Sequence, residues 1–334
     1  MPDVVVFGLG GTIAMTGDAG VAPALSAEQL VAAVPGLAAT GIGVEVVDFR
    51  RKPGASLSFA DLAALSDAVA ARFADGADGV VVTQGTDTIE ETAYLLDLHH
   101  AGPQPLVVTG AMRNPTLAGA DGPANVLAAI APAASPAARD LGCLVVLADE
   151  VHAARRVRKT HSTSGSTFQS PNGGPLGVVV EGEPRLLNRL PGRTAVPVDP
   201  RLPKRVGLVT VTFGDDGALL DAADRLDGLV VAAFGVGHVP EDLVPPLADL
   251  AARIPVVLAS RTGAGSTLRS TYGFPGSERD LLDRGLIDAG FLDPLKARVL
   301  LYALLDAGAD HDAVAAAFAV AGSETGQGAW PWPG

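Results

Sequence analysis

What most restricts the folding of this chain is its rhythm. Short runs of β-branched and other apolar residues recur along it, separated by longer Ala/Leu-rich stretches of helical period. Runs that are apolar throughout belong to strands buried on both faces, and the helices between them cover those faces, so the pattern defines a parallel sheet with helical layers. Strands are expected at Val4–Leu9, Val44–Phe49, Gly79–Thr83, Pro105–Thr109 and Cys143–Ala148. One helix should open at Ser26, with Gln29 three residues on, and another at Ser58, with Asp61; both are close to the capping-box pattern. A third, Thr88–His100, follows directly on a strand end. Beyond Gly177 the segment GVVVEGEPRLLNR reads as a hairpin. The Pro- and Arg-rich stretch LPGRTAVPVDPRLPKR has no periodicity and reads as a linker.

A second βα set follows, with strands at Val206–Val211, Gly228–Ala233 and Pro255–Ala259, helices at Asp293–Ala307 and His311–Ala321, and an irregular tail, GQGAWPWPG. At 334 residues the chain exceeds the size at which one core keeps growing. The expected fold is therefore α/β with two doubly wound domains: a larger N-terminal parallel-sheet domain over 1–189, a linker over 190–205 and a smaller C-terminal α/β domain over 206–334.

Composition narrows the function. With 48% hydrophobic and 18% charged residues, there is apolar material for two buried sheets. A formal net charge of −13 opposes general affinity for nucleic-acid phosphates or anionic membranes. It does not oppose a small anionic substrate, because one Lys or a helix N-terminus can reverse the field inside a pocket. The one cysteine, Cys143, lies in the apolar run LGCLVVLA and reads as a buried strand residue; nothing here calls for an oxidising compartment. The N-terminus MPDVVVFGLGG has no basic n-region, and no apolar run approaches the roughly 20 residues that span a bilayer, so a cytoplasmic location is expected.

Several chemistries are excluded by motif. The chain has no GxxxxGK[ST] phosphate loop and no HExxH, and its six His show no ligand spacing. Gly8-Leu9-Gly10 behind the first strand invites a dinucleotide site. However, the third small position of that fingerprint falls on Ile13, whose bulk opposes close helix packing. What remains is a pair of threonines at strand ends: Thr12 in GGTIA, and Thr86, followed by Asp87, in TQGTDTIEET. Ligands bind outside the carboxyl ends of parallel strands, so both segments face one crevice. Glycines at 10, 11 and 85 let the backbone turn sharply there and keep N–H groups accessible. Either threonine alone would read as a cap; two of them, each behind Gly, favour a site. Lysine usage adds a clue, since only four Lys stand among 24 basic residues. Lys159, in HAARRVRKTHSTSGSTF, follows three Arg, and Lys, unlike Arg, can lose its proton and act as a base. A solvated basic patch accounts for this segment equally well.

The segments GGTIA, VVTQGTDTIEETAYLLDL, VVTGAMRNPTLAGADGPANVLAAI, RKTHSTSGSTFQSPNGGPLG and DPLKARVLLYALL resemble, in this order and over almost the whole chain, those of the bacterial L-asparaginase (asparaginase/glutaminase) family. The resemblance implies hydrolysis of the side-chain amide of L-asparagine, with L-glutamine or a D-amide as further substrates, and no metal or organic cofactor. Thr12 would be the nucleophile and would pass through an acyl-enzyme. Thr86, Asp87 and Lys159 would form a second cluster in which a neutral amine withdraws a proton through a hydroxyl. Asp87 would also bind the substrate α-amino group. Ala111 and the backbone around Gly11, Gly85, Thr86 and Asp87 would line the pocket. A homodimer or homotetramer is implied as well.

Two departures stand out. Where the family carries a loop Tyr, this chain has Val21, and no Tyr precedes Tyr94. Tyr272, or Glu278 at the place of a family acidic residue that reaches a neighbouring subunit's site, is the candidate replacement. The Ser that receives the substrate α-carboxylate is replaced by Gly54, with Ser56 nearby. Three other readings compete: an amidotransferase subunit that releases ammonia, which shares this module but carries an added N-terminal domain; a catalytically weak amino-acid sensor; and a dinucleotide oxidoreductase.

Overall fold

The computed structural model describes residues 1–11, 13, 15–16, 22–23, 26–197, 203–323 and 330–332. Thr12 and Val21 lie outside them. The chain divides into two compact units, Met1–Arg193 and Thr194–Gly334.

The first unit is built on an eight-stranded sheet. Its strands are β1 (Asp3–Gly8), β2 (Gly43–Asp48), β3 (Gly79–Thr83), β4 (Leu106–Thr109), β5 (Cys143–Leu147), β6 (Glu150–Ala153), β7 (Gly177–Val180) and β8 (Glu183–Leu186). Their spatial order is β8-β7-β6-β5-β4-β3-β1-β2. From β2 to β5 every pairing is parallel; β6, β7 and β8 add on antiparallel. Every residue of β3, β4 and β5 is buried, which is why these strands read as unbroken apolar runs.

The helices cover the sheet as the caps predict. Ser26 and Gln29 form a reciprocal capping box at α1 (Ala27–Ala32), and Ser58 and Asp61 form one at α2 (Phe59–Ala74). A 3-10 turn, Thr86–Thr88, leads into α3 (Ile89–His99). A fourth helix that the sequence did not announce, α4 (Gly122–Ala133), carries Pro in its first turn and Pro132 near its end. Ile13 is buried and fills the space over Gly122: a methyl added to Gly122 would meet its Cγ1 at 2.9 Å. The expected obstruction of a dinucleotide fingerprint is thus a packed side chain.

Cys143 is buried in β5, and burial pushes its thiol well up. Its amide donates to the Asp97 carboxylate at 2.7 Å. Burial raises that carboxyl, against the opposing pull of Arg193 and Arg155. Arg193, the last residue of the unit, donates to the Gly102 carbonyl at 2.7 Å and to that of His100.

The second unit holds a four-stranded, wholly parallel sheet of β9 (Val206–Thr210), β10 (Gly228–Ala233), β11 (Val256–Ser260) and β12 (Ile287–Asp288), paired in that order. Its α-helices are α5 (Val244–Ala251), α6 (Glu278–Asp283), α7 (Pro294–Asp306) and α8 (His311–Ala321). Asp293 caps α7 through the amides of Leu295 and Lys296, and the fully buried Lys296 side chain lies 3.5 Å from the same carboxylate. No described helix is long and apolar enough to cross a membrane.

Candidate active site

The first unit gathers its polar loops at the carboxyl edge of the parallel strands. Backbone hydrogen bonds run on past the strand ends, from Leu9 N to Thr83 O at 2.9 Å, from Lys52 N to Leu9 O at 2.9 Å and from Gln84 N to Thr109 O at 3.1 Å. Three loops then meet main chain against main chain. Gly11, at φ +87°, lies so close to the next loop that an added Cβ would fall 2.0 Å from Gly85 N. A Cβ on Gly85 would approach Gly11 Cα at 3.2 Å and Gly54 N at 3.0 Å, and one on Gly54 would reach Gly85 O at 2.9 Å. A side chain at Gly11 or Gly54 would push the loops apart, and one at Gly85 would need its neighbours to give by a few tenths of an ångström.

The 3-10 turn behind Gly85 presents Thr86, buried, and Asp87, exposed. Lys159 arrives from far along the chain. It sits on a two-residue ribbon, Arg158–Lys159, paired antiparallel with Phe168–Gln169. Thr160 N donates to Thr167 O at 2.8 Å, and Lys159 N reaches Glu90 Oε1 at 3.3 Å, so both the ribbon and α3 hold its backbone. Lys159 Nζ donates to Thr86 Oγ1 at 2.9 Å and to Asp87 Oδ1 at 2.9 Å. A hydroxyl, an amine and a carboxylate therefore share one partly buried corner; the Lys159 side chain is 16% exposed.

The alternative of a solvated basic patch fails, because Arg155 is buried and Arg156 and Arg158 are half-buried. Ala111 is fully buried behind β4, and its Cβ would lie 3.5 Å from a methyl placed on Gly122. Asn125 of α4 stitches this wall together: Nδ2 donates to Gly110 O at 2.9 Å, and Oδ1 accepts from Ala148 N at 3.0 Å. Ser56 is exposed on the 3-10 turn Gly54–Ser56.

Tyr272 and Glu278 belong to the second unit. Glu278 is wholly buried at the start of α6. Its Oε1 accepts from the amides of Thr271 at 2.9 Å and Tyr272 at 2.8 Å, and its Oε2 lies 3.2 Å from His238 Nε2. Burial raises this carboxyl, but the Tyr272, Glu278 and Thr271 amides and His238 outweigh it and hold the group below its ordinary range. Glu278 thus clamps the loop, while Tyr272, its ring T-shaped against His238 at 4.9 Å, is 43% exposed as a residue. Among the described residues, no group of three or more His, Cys, Asp or Glu is arranged to hold a metal ion.

Reading the motifs brought Gly11, Gly85, Thr86, Asp87, Ala111 and Lys159 to notice. It missed Gln84, Thr88, Glu90, Gly110 and Asn125, which hold those residues in place. Glu90 alone had a local signal, as the buried acid in TDTIEET.

Fold and site together define the class: a doubly wound α/β protein with a threonine–lysine–aspartate cluster at the carboxyl edge of its larger sheet. Residues 3–191 match the family model for the asparaginase N-terminal domain, and residues 205–318 match that for the glutaminase/asparaginase C-terminal domain. The chain belongs to the asparaginase family. It is 39% identical over 253 residues to a probable L-asparaginase of Deinococcus radiodurans, covering 74% of this chain and 77% of that one. With L-asparaginase 2 of Escherichia coli it shares 36% identity over 320 residues, 90% of this chain and 88% of the other. The crystal structure of a probable cytoplasmic L-asparaginase from Campylobacter jejuni superposes with a TM-score of 0.85 at 30% identity, over 96% of this chain and 99% of its own.

Proposed function

We propose that this protein hydrolyses the side-chain amide of L-asparagine to L-aspartate and ammonia, with Thr12 as nucleophile. The observation that carries the reading is the Lys159 amine, 2.9 Å from both Thr86 Oγ1 and Asp87 Oδ1 at the mouth of the strand-end crevice.

The Thr12 hydroxyl adds to the amide carbonyl carbon, and the resulting oxyanion is stabilised by backbone N–H groups, each worth about 2.7–4 kcal/mol in comparable sites. As the C–N bond breaks, the proton given up by the Thr12 hydroxyl passes to the nitrogen, which leaves as ammonia, and an ester to Thr12 remains. Water then adds to that ester. The Thr86 hydroxyl takes its proton and hands its own to the Lys159 amine; as the ester C–O bond breaks that proton returns to the Thr12 oxygen, and aspartate is released. Asp87 holds the amine in place and receives the substrate α-amino group.

Glu278 has no exposed oxygen to offer, so its part is to hold the main chain of Tyr272. The exposed Tyr272 ring is then the group supplied to a neighbouring subunit's pocket in a homodimer or homotetramer. Full turnover by both Tyr272→Phe and Glu278→Gln would refute that role. A cytoplasmic location fits the absence of disulfide chemistry in a chain with a single cysteine.

The deciding experiment measures ammonia and aspartate release from asparagine and from glutamine, with Thr12→Ala as control. Release that depends on Thr12 and favours asparagine is expected. Melting stabilised by aspartate without turnover would replace the hydrolase with an amino-acid sensor.

A further inference from the structure

The loop that takes the place of the family's carboxylate-binding segment, Pro53–Leu57, has no side chain at Gly54. Contact between bare glycine backbones brings this loop against Gly85. A polar link adds to that contact. Thr88 Oγ1 donates to Gly54 O at 3.1 Å, and the same carbonyl accepts from Leu57 N at 3.2 Å. Thr88 has one proton to give, so its lone pairs are left to accept, and Gln84 Nε2 donates to them at 3.2 Å. The other Nε2 proton goes to Gly85 O, also at 3.2 Å. Gln84 is wholly buried, behind the strand end from which the Thr86–Asp87 turn departs.

We infer that Gln84 and Thr88 are positioning residues: a two-step hydrogen-bonded brace that fixes the attitude of the Gly54–Ser56 loop to the Thr86–Asp87 turn and so sets affinity for the substrate's α-carboxylate end. The inference rests on the asparagine reading of the site. The brace touches the loop that binds and the main chain behind the turn that reacts, but neither the Thr86 hydroxyl nor the Lys159 amine. Its loss therefore acts on binding more than on the chemical step.

The test compares Thr88→Val, which keeps the shape and removes the hydroxyl, with Thr88→Ser, which keeps the hydroxyl, and with Gln84→Met. Steady-state kinetics on asparagine is read beside the calorimetric Kd for aspartate and the melting temperature of each variant. Thr88→Val should raise KM and the aspartate Kd together by about three- to tenfold, the range of one net hydrogen bond, with kcat within about threefold. Thr88→Ser should stay close to the parent, and Gln84→Met should shift in the same direction as Thr88→Val. A Thr88→Val protein with unchanged KM and Kd overturns the brace, as does a Thr88→Ser protein impaired as badly as Thr88→Val. Losses that simply follow a fall in melting temperature overturn it too. A parent protein that neither hydrolyses asparagine nor binds aspartate overturns the substrate reading itself, and the brace with it.

Discussion

Lys159 owes its position to long-range pairing: its backbone is tied to Glu90, 69 residues away, and its side-chain nitrogen to Thr86 and Asp87. Because the side chain is partly exposed and fills no core, Lys159→Met should leave the circular dichroism spectrum and melting curve near those of the parent. It should lower kcat on asparagine by about 10²–10⁴-fold, the usual worth of a positioned acid or base. A variant that kept a tenth of parental turnover would remove Lys159 from the mechanism. Gly11 makes the opposite kind of prediction. Its φ of +87° and the 2.0 Å approach of an added Cβ to Gly85 N leave no room for relaxation by a side chain, since the obstacle is backbone. Gly11→Ala should cost at least about 2–3 kcal/mol in chemical denaturation and reduce soluble yield. A variant as stable as the parent would mean that the loops do not meet there.

At the scale of elements, α2 and α3 meet through Ser66 Oγ and His99 Nδ1, 3.1 Å apart. Burial lowers the His99 pKa from 6.5 to about 4. The unfolded chain therefore takes up a proton as pH falls through 6.5, while the native protein refuses it until about pH 4. Stability is lost across that window, by on the order of 2–3 kcal/mol for this one ring. The depressed carboxyls of Asp48 and Asp61 act below that window, and buried Asp97, raised by its burial, works in the opposite direction. Comparing the parent with His99→Gln isolates the imidazole: the variant should show a flatter fall in urea midpoint from pH 6.5 to 4.5, and equal slopes would refute the assignment. The β5–β6 turn has a similar local logic. Ala148 and Asp149 both take positive φ, 49° and 60°, without a glycine. Exposed Ala148→Gly should therefore stabilise the protein by about 0.5–1 kcal/mol in the same assay.

That turn also shows what could be read in advance. Gly79–Thr83 and Gly228–Ala233 fall where their unbroken apolar runs place them. The strand expected to reach Ala148 ends at Leu147, because a two-residue turn without Gly or Asn gives no signal and its partner β6 goes unannounced. Helix α4 is masked by Gly and Pro at its start and Pro132 within it. In the site, Thr86, Asp87 and Lys159 stand out as motif residues. Thr88 and Asn125 do not, because their partners Gly54 and Ala148 lie 34 and 23 residues away and no local spacing encodes such pairs.

For the molecule as a whole, the charge of −13 at pH 7 vanishes near the isoelectric point of about 4.8, inside the window where His99 withdraws stability. Mutual repulsion and native stability should therefore fail together. Light scattering should rise steeply between pH 5.5 and about 4.5 while staying flat near pH 7, and clear solutions throughout would refute the coupling. The meeting of Gly11, Gly54 and Gly85 bears on how such a protein can be re-engineered. Where three loops are joined by bare backbone, there is no packing partner to trade and no second substitution that restores the fit. A mutant library that randomises these positions will lose many of its members before they fold, so any search for altered substrate choice should hold all three fixed and begin from the exposed Ser56.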